Sequence, residues 1–522
     1  MIREISRRKC LRLWLCKPEY MERTKWENRF VLLRFRKKNY MMFLKDLKRF
    51  KMERLYDKLK AYSESDFYAF HMPGHKRNKA LLGIELPYNL DITEIDGFDD
   101  LHHADGILKE EQERAARVFG AEESHFLVNG STAGILSAVM GCTHRGDKIL
   151  VARHCHKSIY HAIYMNGLVP RYVYPEFDIS MHMNGEISKE DVAKALAAEP
   201  DIKAVVIVSP NYDGVVSDVK GIAEVAHSYR IPLIVDEAHG PHFGFHPAFP
   251  GRANDLGADV VINSLHKTLP SLTQTAILHI NGKIVNRRRI KKYLDMLQSS
   301  SPSYIFMASL DACVDFVDGK CENAFELYVE RLQKFREELK PLQHLQILRT
   351  EHYDISKVVI STANANITSP ELADRLRKEY HLEMEMTGGT YVLAMTTVAD
   401  TQEGLDRLKS ALLEIDDQLE AKTAVSGSIE ISGELPRLEQ YFTPQEAAER
   451  EEDGEAEEIP WKESEGHISL EYAYLYPPGS PVIVPGERIS REAVELLCYY
   501  ETQNLQIEGI QTEGKIKVWK HE

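Results

Sequence analysis

The sequence is short of long hydrophobic runs, of cysteine and of net positive charge. No stretch approaches the roughly 18 uninterrupted apolar residues that a membrane helix requires, so a helical membrane protein is excluded and no membrane partner is expected. Seven cysteines in 522 residues, at positions 10, 16, 142, 155, 313, 321 and 498, are odd in number, scattered, and form no Cys-x-x-Cys pair. A disulfide scaffold and a zinc site are thereby disfavoured, and no metal is expected. The chain start carries neither a secretory apolar core nor a small-residue cleavage site, which points to a reducing, cytoplasmic setting. A net charge of −15, from 65 Lys and Arg against 80 Asp and Glu, repels phosphate backbones, so nucleic acid is not the expected partner.

What is present suits a globular enzyme: 43% hydrophobic, 28% charged and 9% aromatic residues, in a length that allows two to four structural units. Charge divides the chain unevenly. Residues 1–40 hold 13 Lys or Arg against 4 Asp or Glu, leaving a net −24 for the remainder. Residues 1–43 therefore read as a dispensable basic extension, with Met41 or Met42 opening the usual protein. An N-terminal segment over 44–95 follows.

From about 120 to 280, short β-branched runs alternate with helical patterns, the signature of βαβ units feeding a mostly parallel sheet. The expected strands are Ser124 to Val128, Lys148 to Ala152, Ala204 to Ser209, Pro232 to Asp236, Asp259 to Asn263 and Ala276 to Ile280; Lys189 to Ala198 and Gly221 to Tyr229 read as helices. These strands are nearly all apolar, as in sheets covered on both faces, where ligands are met at the carboxyl ends of strands. The large α/β domain is assigned to 96–320. Longer charged helices (Ala324 to Leu339, Pro370 to Tyr380, Thr401 to Leu419) around shorter strands such as Tyr391 to Thr396 give a smaller α+β domain over 321–420. Eight acidic residues between Glu446 and Glu458 mark a solvated linker or exposed helix, within a linker assigned to 421–464. A last domain, 465–522, contains the stiff turns Tyr476-Pro-Pro-Gly-Ser-Pro481 and Pro485-Gly-Glu487.

Three features carry chemistry. Phe126-Leu-Val-Asn-Gly-Ser131-Thr132-Ala133-Gly134 runs a strand into hydroxyl residues and a helix start, whose free N–H groups and dipole suit a phosphate; taken alone, ordinary N-capping explains it as well. Ile231-Pro-Leu-Ile-Val-Asp236-Glu-Ala238-His239 ends an apolar strand on an acid able to face a cationic ring nitrogen. Its Asp-Glu-Ala-His also resembles a helicase box, but no Gly-x-x-x-x-Gly-Lys-Ser/Thr loop lies upstream. Ala258-Asp-Val-Val-Ile-Asn-Ser264-Leu-His266-Lys267-Thr268 puts a lysine just past the next strand, 31 residues beyond Asp236. Cup, acid and lysine in that order suit pyridoxal 5'-phosphate (PLP), gripped at phosphate, ring nitrogen and aldehyde, with Lys267 forming the Schiff base.

The chain resembles the Orn/Lys/Arg decarboxylases of the fold-type-I, aspartate aminotransferase-like PLP class, in particular short bacterial members without the N-terminal wing domain. The motifs are Phe70-His-Met-Pro-Gly-His75-Lys76, Asp91-Ile-Thr-Glu94-Ile-Asp-Gly97-Phe-Asp-Asp100-Leu-His102, the Asn129 to Ala133 cup, His154-Cys-His156-Lys157-Ser158, Ser209-Pro-Asn-Tyr-Asp-Gly214, Asp236 to His239, Ser264 to Thr268 and Tyr476 to Glu487. The resemblance covers about residues 44 to 522. It implies Lys267 as the coenzyme-bearing lysine, Asp236 at the pyridine nitrogen and His156 stacked on the ring. Ser131, Thr132, Ser264 and His266 are implied around the phosphate, with Ala133, Ala238 and His239 in the coenzyme-binding set. His239 stands where some members have an aromatic residue, and His103 falls outside the pattern. His71, His75 and Lys76 are implied to line the site or its entrance.

The implied reaction is decarboxylation of a basic L-amino acid, arginine first, then lysine or ornithine, feeding polyamine metabolism. His266 or Lys267 is the candidate donor of the Cα proton; the sequence does not choose. The substrate's distal cation needs an acid, and Glu94, Asp96, Asp99 and Glu487 are the candidates, Glu487 foremost because a rigid turn presents it. The class implies a homodimer or higher homo-oligomer, with Glu487 able to reach a neighbouring subunit's site. Another fold-type-I reaction, an aminotransferase or lyase, would use the same Asp236 and Lys267, and a non-catalytic PLP-binding regulator is the reading outside enzymes.

Overall fold

Buried apolar strands organise the molecule as their composition dictates: the four residues of each central strand are all buried. The computed structural model describes residues 53–80, 83–178, 183–348, 352–421, 435–475, 479–502 and 505–520. The basic extension over 1–43 and Tyr476-Pro477-Pro478 lie outside the described residues. Arg54 to Glu522 forms one unit.

Helices α1 (Leu55–Ser63) and α2 (Ile107–Val118) lead into β1 (Glu123–Leu127) and α3 (Gly130–Cys142). There follow β2 (Lys148–Ala152), α4 (Lys157–Met165), β3 (Val169–Val173), α5 (Lys189–Ala198), β4 (Val205–Val208), α6 (Val219–Ser228) and β5 (Leu233–Asp236). Then come β6 (Val260–Asn263), the single turn α7 (Leu265–Thr268), β7 (Ala276–Ile280) and α8 (Arg287–Leu297). The seven strands lie in the order β1-β7-β6-β5-β4-β2-β3. All run parallel except β7, which is antiparallel to both β1 and β6. The expected strands are all present within about a residue at each end; β3, whose Pro170 and Arg171 interrupt the apolar run, is the one the pattern did not name. The mostly parallel α/β sheet is thus as expected. Gly134 on α3 faces the sheet so closely that a Cβ there would lie 2.6 Å from Leu127 Cδ1.

The chain continues through α9 (Tyr304–Val317) and α10 (Glu322–Glu338) to β8 (Gln346–Ile347), β9 (Lys357–Ser361), α11 (Ser369–Tyr380), β10 (Met386–Thr387), β11 (Tyr391–Met395) and α12 (Gln402–Asp416). Its strands make an antiparallel sheet in the order β8-β9-β11-β10. Thr368 and Glu371 form a reciprocal capping box at the start of α11, with Pro370 in its first turn, which is why the helix begins there.

The remaining elements are β12 (Glu439–Gln440), α13 (Pro444–Glu452), β13 (Ala456–Pro460), β14 (Ala473–Leu475), β15 (Pro481–Ile483), β16 (Glu487–Arg488), α14 (Arg491–Thr502), β17 (Ile507–Glu508) and β18 (Lys515–Trp519). The acidic stretch expected as linker or exposed helix is a helix, α13, followed by a strand, β13, paired antiparallel with β18. Residues of β18 make this possible: Lys517 lies 2.5 Å from Glu451, and the Trp519 indole donates to Glu455 at 2.9 Å. The acidic run is matched by distant partners that local composition does not reveal.

Candidate active site

The parallel strands of the large sheet end on one side, and the chain leaving several of them lines one cavity of about 600 Å³. After β1 come Gly130, Ser131 and Thr132; after β2, His154, His156 and Lys157; after β4, Asn211, Tyr212 and Asp213; after β5, Ala238 and His239; after β6, His266 and Lys267. Asp236, the last residue of β5, also lines it, and Glu385, Met395 and Ser480 close it from the smaller sheet and the C-terminal region.

Gly130 enters α3 at φ +74°, a left-handed value a side chain would oppose. The Asn129 side chain caps no helical N–H and instead accepts from the Ser299 amide at 3.2 Å. The first turn of α3 therefore opens its N–H groups and the Ser131 and Thr132 hydroxyls to the cavity, a setting for an anion.

Lys267 Nζ lies 2.9 Å from His239 Nε2. Burial lowers the proton affinity of Lys267, against the carboxylates of Asp236 and Glu385. Burial, then the Lys267 charge, keeps the His239 ring neutral, so its Nε2 accepts from the lysine. Asp236 is 3% exposed and accepts from the Ala238 amide at 3.1 Å. Burial raises its pKa, with the Lys267 charge acting against the rise. His266 donates Nδ1–H to the Thr275 carbonyl at 2.9 Å, which fixes its tautomer and leaves Nε2 as the acceptor. His156 Nδ1 accepts from the Ser158 amide at 3.2 Å, placing the proton on Nε2; burial, then Lys267, lowers its pKa to about 4. Among the described residues, Ser264 Oγ and His239 Nδ1 are buried with no hydrogen-bond partner. Such orphaned groups are costly unless a ligand satisfies them. The arrangement can hold an anion at α3, a cationic nitrogen at Asp236 and a carbonyl carbon at Lys267.

The structure thus brings Ser131, Thr132, His156, Asp236, Ala238, His239, His266 and Lys267 together on one cavity. Ala133 and Ser264 do not line it and are buried beside it, Ala133 because its position on α3 faces the core. Four expected substrate acids are placed elsewhere. Glu487 is 1% exposed and gives both oxygens to Arg153, at 2.8 Å each, so the turn that presents it aims it into a buried ion pair of its own chain. Asp99, at φ +67°, accepts from the amides of Asp100, Asp105, Gly106 and Leu108 and thereby organises the loop into α2. Glu94 accepts from Ser301 at 3.5 Å, and Asp96 is exposed outside the cavity. His75 stacks on Tyr88 at 4.6 Å and meets Asp91 at 3.3 Å; His71 bonds Tyr62 at 2.9 Å. His75, His71 and Lys76 do not line the cavity.

Sequence reasoning assigned no role to Asn211, Tyr212, Asp213, Glu385 and Ser480. The first three follow a parallel strand, a signal that could have found them. Glu385 had none, because it comes from the other sheet.

Two domain families account for most of the chain. Residues 53–410 match the family described as Orn/Lys/Arg decarboxylase, major domain, and residues 433–514 the Orn/Lys/Arg decarboxylase, C-terminal domain. An arginine decarboxylase of Bacillus subtilis is 33% identical over 87% of this chain and 95% of its own. One from Bacillus anthracis is 32% identical over 89% and 97%. The structure of the constitutive lysine decarboxylase of E. coli superposes with a TM-score of 0.76 at 20% identity, covering 96% of this chain and 86% of the other, a likeness of fold. A half-buried lysine and a strand-end aspartate share one cavity, within two matched domains that together span most of the sequence, and the chain is a member of the Orn/Lys/Arg decarboxylase family.

Proposed function

We propose that the protein is a PLP-dependent decarboxylase that converts a basic L-amino acid, arginine before lysine or ornithine, to the corresponding amine and CO2. The observation that carries this reading is Lys267, a half-buried amine of lowered proton affinity, sharing a cavity with buried Asp236 and the uncapped start of α3. The residues that line the cavity fit the coenzyme: Ser131, Thr132 and His266 would surround its phosphate, Asp236 its ring nitrogen, and His156 and His239 its ring. When bound, PLP supplies an electron sink for the pair left behind as CO2 departs.

The chain's own residues do the rest. Asp236 would hold a proton on the ring nitrogen of the bound coenzyme. Lys267, whose proton affinity burial lowers, would be the nucleophile toward the aldehyde carbon of the coenzyme. His239 Nε2 accepts a hydrogen bond from Lys267 at 2.9 Å and so would orient the amine. His266 and Lys267, which both line the cavity, are the candidate donors of the Cα proton; His266 Nε2, an acceptor here, would first have to take one up. A homodimer or higher homo-oligomer in the cytoplasm, contributing to polyamine synthesis, completes the proposal. The test is release of labelled CO2 from arginine, lysine and ornithine by the purified protein with PLP. Lys267→Ala is expected to abolish both that release and the visible absorbance of bound coenzyme. Turnover retained in this variant would overturn the assignment.

A further inference from the structure

Behind the cavity wall lies another lysine, Lys357, at the start of β9. It is fully buried, and among the described residues its Nζ meets no hydrogen-bond partner. A buried ammonium in that state is costly, so its surroundings must stabilise it through their field rather than by contact. Burial lowers its pKa to about 8; the carboxylates of Asp354, Glu385 and Asp213 oppose the fall and the Lys267 charge adds to it. Asp354 is committed elsewhere, meeting His242 Nε2 at 3.1 Å and accepting from the Ser356 amide at 2.9 Å and hydroxyl at 2.7 Å. Glu385 accepts from the Tyr212 hydroxyl. Arg336, on α10, donates to the carbonyls of Leu348, Ile355 and Lys357, and the Tyr353 hydroxyl also donates to the Lys357 carbonyl.

The stem of Lys357 supports the loop after β4. A Cβ on Gly214 would sit 2.7 Å from Lys357 Cγ and 2.9 Å from its Cβ, so the backbone next to Asp213 rests on this side chain. The Gly214 carbonyl accepts from the Asp354 amide at 2.8 Å, which fastens the same loop to the smaller sheet. Asp213 lines the cavity, is 6% exposed and accepts from the Tyr391 hydroxyl at 2.5 Å. Burial raises its pKa to about 6, while the Tyr391 hydrogen bond and the Lys357 charge keep it from rising further. Between about pH 6 and about pH 8, Asp213 is therefore anionic and Lys357 cationic. We propose that Lys357 is a positioning residue: set against Gly214, its ammonium keeps Asp213 a carboxylate and so maintains a negative charge on the cavity wall. A charge held there attracts a cationic amino acid into the cavity. The substrate's class rests on the decarboxylase reading, which the proposal deepens; the charge state of Asp213 does not.

The experiment titrates Asp213 itself. Infrared difference spectroscopy follows its protonated carboxyl in the PLP-loaded protein, with Asp213→Asn identifying the band. In wild type the band is expected to appear as pH falls through about 6, and in Lys357→Met about 1–2 pH units higher, because a favourable charge has been removed. Lys357→Gln, neutral but polar, gives the same reading should Lys357→Met not fold, and Lys357→Arg, which keeps the charge, should return the band toward its wild-type position. KM for arginine is measured over the same range. Loss of charge alone moves the rise in KM to higher pH by the same interval and leaves variant and wild type alike near pH 9, whereas a packing defect raises KM at every pH. A band at one pH in wild type and the neutral variants would overturn the role of Lys357, whatever the turnover. A shifted band with coincident KM profiles would overturn its bearing on the substrate. A shifted band in protein that releases no CO2 would uphold Lys357 and overturn the decarboxylase reading.

Discussion

Single residues in this protein are set by burial more than by their neighbours in sequence. Glu237 adjoins Asp236 but points away from the cavity, 2% exposed, accepting from the Ala253 amide at 2.8 Å and the Asn263 side chain at 3.0 Å. Burial pushes its pKa up to about 8. A carboxyl raised in the folded state keeps its proton after the unfolded chain has lost it, so stability falls as pH rises from the ordinary carboxyl range through about 8. Glu237→Gln removes this titration. Each pH unit separating the folded from the unfolded titration is worth roughly 1.4 kcal/mol. Chemical denaturation should therefore find variant and wild type close at pH 5, with the variant more stable at pH 9 by a few kcal/mol. Equal pH dependence of the two would show that Glu237 is charged throughout.

Elements meet the site through close backbone approaches. Helix α3, whose first turn opens on the cavity, packs against α8 at Gly141, where a Cβ would lie 2.5 Å from Ile290 Cγ1 and 2.8 Å from its Cα. A backbone atom cannot swing aside, so Gly141→Ala would push the helices apart. Alanine is the better helix former by about 1 kcal/mol, yet overpacking costs about 1–3 kcal/mol and should win. Urea unfolding is expected to give a net loss, and coenzyme affinity should fall with it because the start of α3 is displaced. A gain in stability would mean that α8 yields freely.

Across the whole molecule, one buried ion pair fastens the C-terminal region to the large sheet. Arg153, immediately after β2, is 1% exposed, is held by both oxygens of Glu487, lies over the Tyr172 ring and also donates to the Val482 carbonyl at 2.9 Å. Just before Val482 the chain reaches the cavity: Ser480 lines it and donates to the His154 carbonyl at 2.7 Å. Glu487→Ala leaves the Arg153 charge buried and unpaired, a loss of about 3–5 kcal/mol. It should lower the thermal midpoint markedly and weaken PLP binding. An unchanged midpoint would argue that water or another acid reaches Arg153.

The order of cup, Asp236 and Lys267 was legible in the sequence because each follows its own buried strand, and strands of a parallel sheet deliver their ends to a common edge. Strand positions, the helix start at Gly130 and the covalent chemistry open to Lys267 are local consequences of residue type and spacing. Which acids line the cavity was not local. Glu487 and Glu385 look alike in sequence, one after a rigid turn and one beside a two-residue strand. Only the folded chain gives Arg153 to the first and a cavity wall to the second. An ion pair between residues 334 positions apart depends on how the C-terminal region packs on the large sheet, and packing is a property of the whole chain rather than of any window along it.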